Sequence, residues 1–518
     1  MAKLSKNTRK NSSNKIVSKK IVIIGSGFGG LSAAALLSKQ GHDVLLLEKN
    51  ESHGGRARVW KSKGFTFDMG PSWYLMPDVF EKFFKELGTT PEKEFKLKLL
   101  SPSYRIFFGK DSVKDKKGNI IIKNKIVDVD SGKKGYELFN ALETDGKLKL
   151  EKYLKQSEYQ YNIAMDGFIY KEYNSIFDMI NYKTMIEGSK LKVFDNMDKF
   201  TRRFFDSDEA RKILEYNLVF LGGDPKNTPA LYSIMAHIDF NMGVWYPMGG
   251  LGKVTTSIMN IAKKNGAKFL FNSPVDKIVV ESGKVKGVTS RGKTYEADIV
   301  ISNADYEFTE TNLLDEKYIS YNQKFWDKKI VAPSAFIIYL GLNKKIKNLK
   351  HHNLFLENDW MNHFREIFEN PKWPDSPSYY ICCPSKSDSS VAPKNCENIF
   401  ILVPVASGLQ DTESIRKKYY DKTMSHINSL LGEDLTKHIV VKRIFSLNDF
   451  KNDYNAFKGT ALGISHTLMQ TGYFRPHQRS KKVKNLFYVG QYTHPGIGMP
   501  MAIISAQIVN DIIKKEFK

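Results

Sequence analysis

Cysteine is scarce: Cys382, Cys383 and Cys396 are the only three in 518 residues. None forms a Cys-x-x-Cys pair and the count is odd, which argues against a disulfide framework and against a zinc site. No metal is therefore expected, and a reducing cytoplasm is the simplest compartment. Long apolar runs are missing as well. No stretch reaches the roughly eighteen uninterrupted apolar residues read as a membrane-spanning helix. The short apolar run 21–24 ends at glycines and is no secretion signal. Acidic residues are few, 56 against 79 Lys+Arg, for a net charge of +23. Such a balance favours anionic surfaces, although a general lysine bias gives the same number. No nucleic-acid motif accompanies the charge, so nucleic acid is discounted and anionic lipid headgroups remain. Residues 1–19 carry basic side chains and no acid, and read as a solvated, disordered tail. No internal repeat is present.

Hydrophobic residues make up 41% and aromatics 12%, enough for a large core without disulfides. Residues 20–48 read as strand, glycine turn, helix, strand. The run 21–24 is rich in β-branched residues, as in a buried parallel strand. An alanine- and leucine-rich helix follows from Gly30, with Gly41 as its stop. Leu251 to Asn265 reads as a helix, 268–273 as a strand, 282–283 as a hairpin turn and 297–304 as another buried strand. Further strands are expected at 334–342 and 398–405. Residues 153–205 look mostly helical, and their aromatics and methionines would suit an apolar tunnel or a plain core. Residues 484–514 close with strand, turn and helix, starting the helix at Met501.

Gly25-Ser26-Gly27-Phe28-Gly29-Gly30 follows the first strand and opens the helix. Gly25 allows the tight turn, Gly27 lets the backbone approach a pyrophosphate, and Gly30 lets helix and strand pack closely. The helix N-terminus supplies free N–H groups and the positive dipole end. Glu48 closes the second strand eighteen residues after Gly30. Its carboxylate can accept both ribose hydroxyls of an adenosine without a 2′-phosphate. A bound dinucleotide is the expectation, held by Gly25, Ser26, Gly27, Gly29, Gly30 and Glu48.

Three further stretches carry a resemblance. Lys49 is followed by Gly54-Gly55-Arg56 and then by 67–73, which reads FDMGPSW. Residues 271–278 read FNSPVDKI. Residues 474–502 read FRPHQRSKKVKNLFYVGQYTHPGIGMPMA. Together with 243–254, 302–309, 351–356, 393–405 and 463–476, they resemble the bacterial-type phytoene (carotenoid) desaturases of the amine oxidase superfamily. The resemblance runs through nearly the whole chain beyond the tail.

The resemblance implies FAD, with Lys49, Gly55, Arg56, Gly70, Pro71, Val275, Gly490, Gly498 and Met499 added to the cofactor site. Arg56 would donate to phosphate, the main chain at Val275 would meet adenine, and the helix after Pro500 would point at the flavin pyrimidine edge. It implies an α/β fold with α+β insertions: a Rossmann-type FAD-binding domain (20–100, 245–305 and 471–518) interleaved with a substrate- and membrane-associating domain (101–244 and 306–470). The implied activity is dehydrogenation of a long apolar polyene in carotenoid biosynthesis. Oxygen or a quinone would take the electrons, and the enzyme would contact an anionic membrane peripherally from the cytoplasmic side. The sequence departs from the family at Met248, where arginine is common, and at Gln491, Tyr492 and Met499, where smaller residues are common. Between 107 and 149 a lysine-rich stretch lacks the family's Arg–Asp pair, and Asp145 is its approximate counterpart.

His494 and Asp145 are the candidate acid–base groups, and a rigidifying role suits His494 better. A carotenoid cis–trans isomerase and a flavoprotein-derived carotenoid or lipid binder are the alternatives. A polyamine or amino-acid oxidase would need a flavin-side lysine and an amine cage, which are not located.

Overall fold

A computed structural model describes residues 17–109, 112–114, 120–122, 125–179 and 195–517. Most of the basic tail expected over 1–19, and part of the lysine-rich stretch 107–149, lie outside the described residues. Residues 17–19 run beside the residues that end the first helix, where the Ser18 hydroxyl donates to Gly41 O at 2.9 Å.

The run Lys20–Ile24 forms a strand because its β-branched side chains fill both faces of a buried sheet. It is the centre of a five-stranded parallel sheet, in the order Lys268–Leu270, Asp43–Leu47, Lys20–Ile24, Ile299–Ser302, Leu486–Tyr488. Its registers pair Ile21 with Val44 on one side and with Ile299 on the other. The helix Phe28–Lys39 packs between the helices Gly252–Lys264 and Met499–Glu516. The small residues Ser32, Ala33, Ala34 and Ala35 make that close approach possible, and all are buried. Gly41 stops the helix as expected: at φ +87° it lets His42 N–H donate to Leu37 O and its own N–H to Ser38 O.

A second sheet has seven strands, ordered Ile439–Phe445, Ser334–Leu342, Glu397–Val405, Tyr379–Cys382, His352–Leu356, Tyr104–Phe108, Lys125–Val129. It is antiparallel except where His352–Leu356 runs parallel to Tyr104–Phe108. All nine residues of Ser334–Leu342 are buried, since helices and the first half of the molecule cover both faces. The architecture is the expected α/β fold, with the parallel sheet assembled from three separated stretches of chain.

The mostly helical reading of 153–205 holds among the described residues, as the helix Gly146–Gly167, the single turn Ile176–Met179 and the short helix Met197–Arg202, with 180–194 outside them. Two expectations need correction. The strand expected over 268–273 stops at Leu270, because Asn272 turns to φ +51° and Pro274 has no N–H to pair. The last helix begins at Met499, not Met501. Pro500 is tolerated there because the first N–H groups of a helix have no intrahelical acceptor.

Candidate active site

A cavity of about 830 Å³ runs from the glycine turn after the first strand to the inner wall of the seven-stranded sheet. The turn exists because its glycines leave room for one another and for Asn303. A Cβ on Gly30 would sit 2.1 Å from Gly25 O, so Gly30 holds strand and helix together and lies behind the cavity wall. A Cβ on Gly29 would meet Asn303 Oδ1 at 2.5 Å, and one on Gly27 would meet Asn303 Nδ2 at 2.8 Å. Asn303 is thus a wedge between the first glycine turn and Gly490, whose Cβ would come within 3.0 Å of the same oxygen. The helix cap at Gly27 has no side-chain hydrogen bond, which leaves the opening N–H groups to a ligand.

Glu48 is buried and accepts four hydrogen bonds. Oε2 takes the Ser26 N–H at 2.8 Å and the Ser26 hydroxyl at 2.7 Å, while Oε1 takes the Asn50 N–H at 2.9 Å and Nδ2 at 3.0 Å. The stretch before Val275 is tied to the same place, with Ser273 N–H donating to Glu48 O at 2.8 Å. Lys49 lines the cavity but is engaged, donating to Asn452 O at 2.6 Å and Asn455 Oδ1 at 2.9 Å.

The second glycine pair has a visible steric reason. Gly54 N–H donates to Ser26 O at 2.9 Å, and a Cβ on Gly55 would fall 3.0 Å from Gly27 Cα. The two glycine turns lie back to back. Gly70 is needed because a Cβ there would lie 2.4 Å from Arg56 O. Arg56 reaches Thr460 O at 3.4 Å, stands 4.0 Å from Asp305 and lies over the Tyr454 ring. With the Gln491 amide oxygen turned inward, it accepts from both Arg56 Nη1 and Nη2 at 3.2 Å. The Tyr492 hydroxyl donates to Asp305 Oδ2 at 2.7 Å. The unusual pair Gln491-Tyr492 thus belongs to one network with Arg56 and Asp305. Burial raises the Asp305 carboxyl, while Arg56 and Tyr492 oppose the rise.

The C-terminal turn closes over the cavity. Thr493 Oγ1 donates to Gly490 O at 2.9 Å, and Gly490 N–H donates to Ser505 Oγ at 3.1 Å. His466 Nε2 accepts the Ile497 N–H at 3.0 Å, so its Nδ1 carries the proton and donates to the Tyr232 oxygen at 2.5 Å. Gly498 caps the final helix at φ +119°, ψ 156°, with no side-chain hydrogen bond.

His494 is buried with Nε2 3.1 Å from Phe168 O and 3.0 Å from Ile169 O, so Nε2 carries the proton and Nδ1 is left without a partner. Burial holds its imidazole down at about 4, with the Arg475 charge adding to the shift. The neutral ring ties the final turn to the end of the helix Gly146–Gly167, which suits the rigidifying role.

Of the expected site residues, Gly25, Ser26, Gly27, Gly29, Glu48, Lys49, Gly55, Arg56, Gly70, Pro71, Val275, Gly490, His494, Gly498 and Met499 all line this cavity. Asp145 does not: it is exposed, in a left-handed conformation, at the N-terminus of the helix Gly146–Gly167. At the apolar end, the core reading of 153–205 holds for most of its described aromatics and methionines. Among the described residues, 153–205 contributes only Ala164, Phe168 and Ile169 to the wall, while Tyr153, Leu154, Phe200 and Phe205 are core. The wall comes instead from stretches such as Leu231, Ile234, Met235 and Ile238, facing Trp360, Phe364 and Ile367. Trp73 stacks on His352 with ring centroids 4.1 Å apart.

Sequence spacing also hid a cluster. His352 pairs directly with Cys382 across two antiparallel strands, and His351, His352 and Cys382 place one possible ligand atom each within 4.8 Å of the others. The Tyr380 hydroxyl already engages His352 Nδ1 at 2.6 Å and also meets Cys382.

The site fits FAD on the protein's own evidence. Two glycine turns leave a cradle, the first helix offers uncapped N–H groups, and Arg56 Nε is buried without a partner. Residues 28–513 match the family described as flavin containing amine oxidoreductase. A carotenoid 3,4-desaturase of Haloarcula japonica is 42% identical over 488 residues, 94% of this chain and 96% of that protein. A 4,4'-diapophytoene desaturase (4,4'-diaponeurosporene-forming) of Staphylococcus haemolyticus is 31% identical over 512 residues, covering 96% and 99%. Among solved structures, an oxidoreductase from Methanosarcina mazei shares the fold with a TM-score of 0.59 at 17% identity, covering 95% of this chain and 100% of that one.

Proposed function

Because the chain belongs to the flavin-containing amine oxidoreductases, among the bacterial-type carotenoid desaturases, we infer that it is an FAD-dependent desaturase of a carotenoid polyene. It acts on CH–CH bonds. The observation that carries the reading is the single cavity that joins two dinucleotide-binding glycine turns to a wall of apolar side chains. Bound FAD supplies a two-electron oxidant that accepts hydride.

The chain's own residues do the rest. Gly27, Gly55 and the N-terminus of Phe28–Lys39 form the pyrophosphate cradle, with Arg56 beside it. Glu48, whose oxygens take the Ser26 and Asn50 donors, would accept from the adenosine ribose in exchange for one of those side-chain donors. The turn 490–498 shapes the wall against the redox-active end. A hydrocarbon offers no polar handle, so its binding rests on buried area, at about 25 cal/mol per Å². Once hydride has left carbon, the neighbouring C–H is acidic enough for water or a neutral group to take the proton. His494, held near 4, is neutral at pH 7 and is a weak base with its protonated Nε2 on carbonyls.

The finer parts of the reading rest on surface and topology. The division into FAD-binding segments (20–100, 245–305, 471–518) and substrate segments (101–244, 306–470) is supported by the origin of the strands in the two sheets. Peripheral contact with an anionic bilayer is supported by an exposed apolar patch. Phe177 is 75% and Met469 61% exposed, and Ile176, Ile330 and Leu468 are exposed beside them. Gln470 ties Ile330 to the turn Leu468–Gln470, and the next turn, Gly472–Phe474, packs on Ile176–Met179. Lys324 and Lys328 are exposed nearby in the chain. Phe168, Ile169, His466 and Thr471, which flank this patch in sequence, line the cavity. No helix among the described residues is long and apolar enough to cross a membrane. A membrane quinone or oxygen would then remove the electrons.

The test is expression with candidate polyenes and identification of the pigment. A product with added double bonds supports the reading. A rearranged pigment of unchanged mass, or a protein purified without flavin, overturns it.

A further inference from the structure

Arg475 is 2% exposed, and its guanidinium meets four backbone carbonyls. Nε donates to Tyr492 O at 3.3 Å, Nη1 to Gln470 O at 2.9 Å, and Nη2 to Ile464 O at 3.2 Å and Gln491 O at 2.7 Å. Among the described residues no carboxylate lies within 4.0 Å of it. It presses against the C-terminal turn so closely that a Cβ on Gly496 would lie 3.3 Å from its Cζ.

A buried charge with no counter-ion is expensive, and carbonyl oxygens offset only part of that expense. Neutral donors could make the same hydrogen bonds. The distinctive consequence of a guanidinium here is its full positive charge in a low-dielectric wall, where charge acts over a longer range than in water. Its neighbours register that charge. Burial and then Arg475 hold the His466 imidazole well below its ordinary range, and Arg475 is among the causes that lower His494. His494 belongs to the turn 490–498, and His466 accepts the Ile497 N–H of that turn.

We propose that Arg475 is a positioning residue for the redox-active end of the cofactor: it clamps the turn 490–498 through Tyr492 O and Gln491 O, and its unpaired charge behind that turn favours the two-electron-reduced form. This rests on the reading of the cavity as an FAD site. Oxidised flavin is neutral, and taking up two electrons and one proton leaves it with one negative charge, which a nearby cation stabilises. The two roles separate by chemistry. Lysine keeps the charge and loses the four-way clamp, whereas glutamine and methionine keep much of the bulk and lose the charge.

The experiment uses the purified holoenzyme, R475K, R475Q and R475M. FAD content and dissociation constant are measured first, then the midpoint potential against reference dyes, and the affinity of sulfite for the oxidised flavin. All three variants are expected to hold FAD more weakly. R475Q and R475M are expected to shift the reduced-to-oxidised ratio at a fixed potential at least tenfold towards oxidised, which is about 30 mV for a two-electron couple, and to weaken sulfite binding in parallel. R475K is expected to stay within threefold of the wild-type ratio. Equal shifts in lysine, glutamine and methionine variants would reduce Arg475 to a structural clamp and overturn the charge role. A tenfold shift in R475K alone would do the same, even if the neutral variants failed to fold. Wild-type protein without flavin would instead overturn the cofactor reading itself.

Discussion

Replacing Gly498 by alanine separates backbone geometry from crowding at the turn that faces the flavin. At φ +119° and ψ 156°, Gly498 occupies a region open almost only to glycine. Space is not what requires it, because the nearest atoms to an added Cβ are Met501 Cγ and Pro500 Cδ, both at 3.8 Å. The expected cost is therefore conformational, about 1–3 kcal/mol. If the turn relaxes to avoid it, FAD affinity falls by roughly 5- to 150-fold. Gly29→Ala is the control with the opposite cause. Its backbone is helical, so alanine is welcome there, but the new Cβ would lie 2.5 Å from Asn303 Oδ1 and 3.2 Å from Gly490 N. Overpacking of that kind costs about 1–3 kcal/mol. The assay is FAD titration by fluorescence for each single variant and for each combined with Asn303→Ala. Truncating Asn303 should recover part of the Gly29→Ala loss and none of the Gly498→Ala loss. Unchanged FAD affinity in Gly498→Ala, or equal rescue of both variants, would refute the distinction between strain and crowding.

Arg56→Ala should weaken FAD by about one to three kcal/mol, as for a charge-assisted hydrogen bond, with Asp305 left buried without its cation. An equilibrium dissociation constant within twofold of wild type would remove Arg56 from the cofactor site. His494→Asn should retain measurable desaturation at saturating FAD, with a modest fall in rate. A loss of about four orders of magnitude with FAD fully bound would indicate general-base catalysis. The same variant tests the protonation state. Since the folded His494 stays neutral down to about 4, the unfolded chain binds the extra proton between the ordinary value of about 6.5 and that point. The histidine's contribution to stability is thus present above about 6.5 and lost as pH falls towards about 4, by up to about 1.4 kcal/mol per pH unit. A wild-type minus His494→Asn stability difference that stays flat from pH 7 to 5 would contradict this. Phe177→Ser with Met469→Ser should reduce recovery with anionic liposomes about tenfold or more, through lost apolar burial. High salt should weaken binding of both proteins, and flotation unaffected by the pair would move the membrane contact elsewhere.

What could be read from the sequence is what backbone chemistry writes locally. The first glycine turn, Gly41 and Glu48 are legible because each role needs one residue type at a fixed distance from a strand or helix end. Gly54, Gly55, Arg56 and the final turn are legible through resemblance, and the structure adds close backbone approach at Gly54 and Gly55, a polar network around Arg56 and a glycine-only backbone conformation at Gly498. What was not legible depends on pairing between distant stretches. Asn303 matters because the parallel sheet sets its strand end beside the first turn. Arg475 and His466 matter because their loop folds under residues 490–498. Cysteine spacing does not show His352 opposite Cys382, since strand register, not sequence distance, brings them together. Aromatic and methionine content alone does not separate tunnel from core in 153–205; most of its described aromatics pack into the core, and 231–238 supplies much of the wall.

The most direct measurement of the central claim is an anaerobic single turnover. FAD-loaded protein is mixed with a carotenoid precursor, and the flavin spectrum and the mass of the recovered pigment are followed together. Flavin absorption is expected to bleach as the pigment loses two hydrogens, one double bond for each flavin reduced. A pigment that changes colour at unchanged mass while the flavin stays oxidised would contradict it.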